Sequence, residues 1–259
     1  MKSSNAQTFL YPAAFLFLVL GLWQMIEWIW DIPRIMLPSP LEIASVSRGR
    51  YDDLLKGAGI TAWSALVGFV LALVLGTAMA LWFSLSVIAR RGVYPYMIFL
   101  QTVPIVAIAP LVIIWFGGGL GSITVIVTII SLFPIVTNVT TGLMSVDPGL
   151  LDLMDLYQAN RWQILFKLRF PHAVPYLLTG AKISSGLTIV GAVVGEYMAG
   201  HGIDNPGLGY YIFMSSQNFQ TEILFASIFL STLLGVAMVG CVSLLSRTLL
   251  ARWTYQLKH

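Results

Sequence analysis

The chain has 259 residues, of which 58% are hydrophobic and only 10% are charged. A soluble domain carries about a quarter charged residues, so this composition excludes an ordinary soluble domain and predicts an all-α integral membrane protein. The formal net charge of +3 is too small to favour a nucleic-acid partner, and the single cysteine, Cys241, excludes a disulfide framework.

Six apolar runs are long enough to cross about 30 Å of hydrocarbon, and they predict six transmembrane helices. The runs are 9–30, 60–86, 94–116, 121–144, 174–198 and 222–246. The first run is too long for the core of a signal peptide and lacks a small-residue cleavage site, so we expect an uncleaved first span. The small residues of the second run recur at four-residue spacing, which favours close helix packing; they are Gly68, Ala72, Gly76 and Ala80.

The distribution of lysine and arginine predicts the orientation of these spans. With the amino terminus inside, ten of the fourteen basic residues fall in cytoplasmic segments and four fall in the outer loop 31–59. Both termini and the segment 145–173 are then cytoplasmic. Within 31–59, Pro38 and Pro40 precede apolar residues at helical spacing, and this pattern predicts a kinked linker followed by an interfacial helix.

Polar residues inside the third and fourth runs are candidates for lining a pathway. Gln101 and Thr102 stand just before Pro104, and Asn138 lies in the fourth run. A polar residue beside a proline inside a span is consistent with a pathway-lining helix. Hydrogen bonding between neighbouring helices is an equally good explanation for these residues.

Residues 152–171 form the longest amphipathic, charge-bearing segment of the chain. Apolar residues at helical spacing predict two short helices, and Asn160 with Gln163 resembles a capping box at the start of the second. We expect Pro171 to end that helix, because proline lacks a backbone donor. The segment is then either a protruding helix–turn–helix that another protein grasps or an interfacial helix pair without a partner.

Nothing in the sequence predicts catalysis. The three histidines, His172, His201 and His259, do not have the spacing of metal ligands, and no phosphate-binding loop is present. Glu196 is the most informative charge, because an ionisable residue in a span is costly. It serves either as part of a gate near the outer mouth or as a carboxylate that reaches the interface. The glycine-rich stretch 200–211 predicts a compact outer turn with aromatic residues.

The segment 152–171 resembles the cytoplasmic coupling loop of permease subunits of ATP-binding cassette importers. The turn reads Gln158-Ala159-Asn160-Arg161-Trp162-Gln163 and is followed by Pro171, which is similar to the nitrate, taurine and sulfonate subfamily. The family has glycine where this chain has Gln158. We therefore expect a backbone at Gln158 that needs no positive φ.

This resemblance implies the transmembrane, non-catalytic subunit of an ATP-driven importer in a bacterial cytoplasmic (inner) membrane. Residues 1–259 are then a single permease domain that forms a homodimer in membrane lipid, with two cytoplasmic ATP-binding subunits that supply ATP and Mg²⁺ and a periplasmic or lipid-anchored solute-binding protein. The residues expected to couple to the ATPase are Asp152, Asp155, Gln158, Ala159, Asn160, Arg161, Trp162 and Pro171. The candidate pathway residues are Gln101, Thr102, Pro104, Asn138 and Glu196.

The substrate class expected from the resemblance is a small organic solute or anion, with planar pyrimidine or flavin precursors among the candidates. The alternative is a secondary carrier driven by an ion gradient. That class predicts related halves and several buried charges, whereas the sequence shows no internal repeat.

Overall fold

The computed structural model describes residues 5–200 and 205–256, with side chains between residues 10 and 250 apart from those of Pro12 and Ala13. All regular structure in these ranges is helical. The helices are α1 (Asn5–Trp30), α2 (Pro40–Gly49), α3 (Tyr51–Leu85), α4 (Val87–Thr102), α5 (Ile105–Phe116), α6 (Leu120–Met144), α7 (Pro148–Leu156), α8 (Arg161–Ile164), α9 (Phe170–Ala199), α10 (Leu208–Gln217) and α11 (Thr221–Gln256).

Several predictions concern residues outside these ranges. The basic residues Lys2 and Lys258 and the histidines His201 and His259 lie outside the described residues. The side chains of Arg252 and Trp253 lie outside them as well.

Four helices in the described part of the chain are apolar and long enough to cross a membrane: Tyr51–Leu85, Leu120–Met144, Arg161–Ala199 and Thr221–Leu250. The third of these combines α8, a π-helical turn at Leu165–Arg169, and α9 into one helix of 39 residues. The apolar part of α1 that the structure describes, Ala14–Trp30, is shorter. The count of six spans therefore stays a prediction.

The predicted third span, 94–116, is not one continuous helix. It is divided into α4 and α5, whose axes differ by 102°. Val103 has an extended backbone (φ −73°, ψ 122°), and Pro104 follows it at the start of α5. Proline disfavours helix in the preceding residue and supplies no backbone donor, so the chain turns sharply at this point. The apolar run 94–116 predicted a single span, and its hydropathy alone did not reveal the sharp bend at Pro104.

The centre of the fold is made by α3, α6 and α9, with the most extensive contacts between α6 and α9 and between α3 and α6. The small residues of α3 allow this packing, as predicted. Gly68 lies directly against Val127 of α6, and Gly76 lies directly against Ile135. A methyl group at either glycine would overlap the facing side chain, so the two backbones approach as closely as glycine permits.

The segment 31–59 contains the expected short helix. At the start of α2, Ser39 accepts a hydrogen bond from the backbone N–H of Glu42 (3.2 Å), and the Glu42 carboxylate accepts one from the N–H of Ser39 (3.1 Å). This is a capping box followed by proline at the first helical position. The helix packs against α11, near the buried residues Leu54 and Ile223.

Part of the glycine-rich stretch, residues 201–204, lies outside the described residues, so the predicted turn there stays a prediction. From Leu208 onward the stretch is not part of a turn, because it begins α10, which packs against α9, α11 and α3. Leu208 is fully buried and Gly209 is buried beside it. The short segment that joins α10 to α11 contains Phe219, whose φ is +56°.

Candidate functional site

The loop between α6 and α9 forms the predicted pair of short helices. Asp147 begins α7 by accepting a hydrogen bond from the N–H of Gly149 (2.7 Å), and Pro148 occupies the first helical position. Asn160 begins α8, and its side chain accepts hydrogen bonds from the N–H groups of Trp162 (3.1 Å) and Gln163 (2.9 Å). The Gln163 side chain accepts one in return from the N–H of Asn160 (2.8 Å), which confirms the predicted capping box.

The turn between these helices has a tight, specific geometry. The N–H of Ala159 donates to the carbonyl of Met154 (3.0 Å), and the N–H of Gln158 donates to the carbonyl of Asp155 (2.9 Å). This pair of bonds defines a Schellman motif, in which the residue after the helix cap adopts the left-handed conformation. Gln158 occupies that position with a φ of +53°.

The prediction that Gln158 needs no positive φ is therefore wrong. The Schellman motif imposes a left-handed backbone whatever the side chain, and a non-glycine residue accepts it at a cost of about 1–2 kcal/mol. The two hydrogen bonds of the motif offset this cost by satisfying carbonyls that α7 would otherwise leave unpaired.

Pro171 also differs from its prediction, because it does not end the helix. The π-helical turn Leu165–Arg169 precedes it, and the N–H of Phe170 donates to the carbonyl of Leu165, five residues back. A π-turn adds one residue to the helical repeat and shifts the carbonyls that a proline ring would meet. The helix therefore continues from Arg161 to Ala199 through Pro171.

Two side chains attach this two-helix unit to the rest of the fold. Leu165 is 1% exposed and packs in the cluster that contains Ile135, Leu143 and Ala173. Arg169 donates from one guanidinium nitrogen to the carbonyl and the hydroxyl of Ser84, both at 3.1 Å, at the end of α3. The unit is thus held against both α3 and α6.

The tip of the unit presents apolar surface without a partner in the described chain. Leu156 is 80% exposed and Tyr157 is 78% exposed. Trp162 and Phe166 stack on one another, with ring centroids 6.0 Å apart, and both remain more than half exposed. The remaining coupling candidates, Asp152, Asp155, Asn160 and Arg161, are exposed around this surface, whereas Ala159 and Pro171 are half-buried.

The break between α4 and α5 opens a second region of interest. A cavity of about 350 Å³ lies beside it, and its lining comes from α4, α5, α6 and α9. Gln101 is its one polar side chain among the described lining residues, which are otherwise Met97, Leu100, Val103, Ile105, Ile108, Ile129, Ile130, Leu132, Phe133, Pro134 and Leu187.

The other pathway candidates of the third and fourth runs do not line this cavity. Thr102 and Pro104 are exposed beside the break, and the Thr102 hydroxyl donates to the carbonyl of Phe99 (2.7 Å). Asn138 lies on α6, and its amide donates to the carbonyl of Pro134 in the same helix (2.8 Å). This local bond gives Asn138 a role within its own helix.

Glu196 is fully buried and is not among the residues that line that cavity. One carboxylate oxygen accepts hydrogen bonds from the Thr61 hydroxyl (2.9 Å) and from the backbone N–H of Gly209 (2.8 Å). The Thr61 hydroxyl in turn accepts from the N–H of Leu208 (2.8 Å). The carboxylate thus ties α3, α9 and the first turn of α10 together, and it does not reach the surface as the interfacial reading required.

Sequence reasoning missed Thr61, Gly207 and Gly209 as the partners of Glu196. A methyl group on Gly207 would overlap the Glu196 carboxylate, and one on Gly209 would overlap the carbonyl of Val193. The Gly-Leu-Gly spacing was the available signal, since two glycines so close together allow the start of a helix to approach a neighbouring helix closely.

The helical architecture and its four long apolar helices define the described chain as an all-α membrane protein. The inward-facing methionine ABC transporter MetNI has a chain with the same fold, at a TM-score of 0.62 and 18% identity, covering 75% of this chain and 95% of that one. A family profile described as "Binding-protein-dependent transport system inner membrane component" matches residues 53–254. The chain belongs to this family of ABC importer permeases.

Two relatives match over nearly their full lengths. The riboflavin transport system permease protein RibX of Chloroflexus aurantiacus is 33% identical, over 96% of this chain and 93% of its own. The formylaminopyrimidine transport permease protein ThiX of Halalkalibacterium halodurans is 30% identical, over 93% of this chain and 95% of its own. The nitrate import permease protein NrtB of a Synechocystis strain is 27% identical, over 88% and 87%.

Proposed function

We propose that this permease couples ATP hydrolysis in a separate subunit to the import of a neutral, planar heterocycle. The structure of the two-helix unit α7–α8 supports this coupling. The unit exposes Leu156, Tyr157 and Trp162 at its tip, and the bond from Arg169 to Ser84 holds its base against α3. An exposed apolar tip on a rigid base is suited to fill a cleft on another protein.

The continuous helix Arg161–Ala199 connects the two-helix unit to the membrane-spanning part of the chain. A movement of the tip is passed along that helix into α9, and the bonds from Arg169 to Ser84 pass it to α3. The two helices then tilt together, and the pathway alternates between inward and outward openings. ATP and Mg²⁺ act in the ATPase subunits, two of which would serve two copies of this chain.

The substrate class is supported by the cavity at the break between α4 and α5. Its described lining carries no lysine or arginine, so a nitrate or sulfonate would lose water there without gaining a counter-ion. A planar heterocycle instead stacks on apolar walls and hydrogen-bonds to Gln101. The relatives named for riboflavin and formylaminopyrimidine transport point to the same class.

The bonding of Glu196 disfavours the ion-coupled carrier. Such a carrier needs a carboxylate that faces the pathway and exchanges its ion or proton there. Glu196 instead faces Thr61 and Gly209 in the packed interior. In the proposed importer, the solute-binding protein delivers the substrate on the outer side, and the positive-inside distribution of charges supports a cytoplasmic position for α7–α8.

The test of the coupling proposal is Ala159→Trp. Ala159 follows the left-handed residue of the turn, is half-buried, and lies outside the predicted spans. A large ring there adds volume to a packed interface, which interfaces tolerate badly. We expect normal membrane levels with loss of both ATP-driven uptake and ATPase stimulation in vesicles that contain the ATPase subunit.

The matched control is Leu245→Trp, which adds the same ring on an exposed face of α11. We expect this variant to keep uptake. Normal uptake by Ala159→Trp would show instead that α7–α8 is a passive surface element, and the coupling proposal would be withdrawn.

A further inference from the structure

A small cavity of about 200 Å³ lies between the end of α3 and the start of the helix Arg161–Ala199. Its lining combines two arginines with a serine and three apolar side chains: Ser84, Leu85, Arg161, Ile164, Leu165 and Arg169. It differs in this respect from the cavity at the break between α4 and α5, whose lining is apolar apart from Gln101.

The two arginines carry positive charge that nothing in the described chain neutralises. The ion pairs among the described residues are Arg34 with Glu42 and Arg50 with Asp53, in the loop 31–59. One terminal guanidinium nitrogen of Arg169 donates to Ser84. The Nε of Arg169 is buried without an acceptor among the described residues. A buried donor without an acceptor costs about 1–3 kcal/mol, so the site favours an anion that brings acceptor oxygens.

The cavity lies at the end of an apolar helix, next to an exposed tryptophan, as expected at a membrane–water boundary. The apolar helix α3 ends at Leu85, in the cavity wall, and Trp82 is 51% exposed one turn earlier. Tryptophan concentrates at the membrane–water boundary. The helix Arg161–Ala199 would be about 58 Å long if its rise were α-helical throughout, against about 30 Å of hydrocarbon, so its arginine-bearing start has room to lie among the head groups.

We propose that this cavity binds the phosphate of an anionic phospholipid, with Arg161 and Arg169 as its ligands. Guanidinium groups match the geometry of phosphate oxygens and form charge-assisted, paired hydrogen bonds with them. Leu85 and Ile164 provide an apolar wall for the adjoining glycerol and acyl chain. A free phosphate shares the same chemistry but makes no use of that wall.

The bound lipid acts on the orientation of the two-helix unit. Arg161 begins α8 next to the turn, and Arg169 is bonded to the end of α3. A phosphate held by both arginines therefore links the base of α7–α8 to α3 at the head-group level. This inference goes beyond the proposed function and does not depend on it, because binding is measurable without transport.

The experiment is native mass spectrometry of the purified full-length chain in a neutral detergent, titrated with phosphatidylglycerol. We expect one tightly bound lipid, and we expect Arg161→Gln to weaken its apparent affinity by about tenfold or more, since one charge-assisted contact is lost. Arg161 is the better variant because its exposed side chain makes no hydrogen bond to any described residue, whereas Arg169→Gln also breaks the bonds to Ser84. Arg161→Lys should recover part of the affinity.

The control is Arg91→Gln, which removes an exposed arginine outside the cavity and should leave binding unchanged. Equal affinity in wild type and Arg161→Gln would overturn the site. A comparison with inorganic phosphate distinguishes a lipid head group from a free phosphate as the occupant. We expect inorganic phosphate to raise the midpoint of thermal unfolding far less than phosphatidylglycerol does at the same concentration. An equal rise that Arg161→Gln abolishes would overturn the lipid as the occupant.

Discussion

The bonds around Glu196 make Thr61→Val a sharp test of how the fold is held together. Valine has nearly the shape of threonine, so the change removes the hydroxyl and little packing. The Glu196 carboxylate loses a donor at 2.9 Å, and the N–H of Leu208 loses its acceptor at 2.8 Å. A hydrogen bond contributes about 0.5–1.5 kcal/mol net and an unmet buried donor costs about 1–3 kcal/mol, so we expect a loss of about 2–4 kcal/mol.

Thermal unfolding of the purified protein in detergent measures this loss. For a chain of this size the expected fall in the midpoint is on the order of 10 °C. The control is Thr232→Val on α11, whose exposed hydroxyl bonds only to the carbonyl of Ile228 in its own helix. A midpoint for Thr61→Val that equals that of Thr232→Val would refute the tie between α3, α9 and α10.

Three further predictions follow from particular positions. Gln158→Gly should stabilise the protein by about 1 kcal/mol, because glycine adopts the φ of +53° without strain, and no rise in the unfolding midpoint would contradict the Schellman turn. Gly209→Ala should destabilise it by at least about 1–3 kcal/mol in the same assay, whereas Gly235→Ala, which has open space around it, should cause no loss. Gln101→Leu should lower heterocycle uptake about tenfold at an unchanged membrane level, and unchanged uptake would remove Gln101 from the pathway.

Much of the fold could be predicted from composition and spacing. The apolar runs anticipate α3, α6, α9 and α11, and the small residues of α3 anticipate its close packing on α6. Capping residues fix the starts of α2 and α8 because their hydrogen bonds are local in sequence. The family could be recognised from the segment 152–171 for the same reason.

The errors all concern features that depend on long-range or cooperative geometry. Pro104 and Pro171 have the same local chemistry, yet one breaks a span and the other continues a helix through a π-turn. The left-handed backbone at Gln158 is imposed by two bonds of the turn, so the identity of the side chain did not reveal it. The partner of Glu196 is Thr61, 135 residues earlier, and no local pattern connects them.

The central claim is that this chain moves its substrate only when a separate ATPase drives it. The most direct measurement is uptake into proteoliposomes that contain the purified chain, with the ATPase subunit and the solute-binding protein added or omitted. The account predicts heterocycle uptake only with both partners and ATP present, and no ATP hydrolysis by the chain alone. Uptake by the chain alone, driven by a proton or sodium gradient, would contradict it.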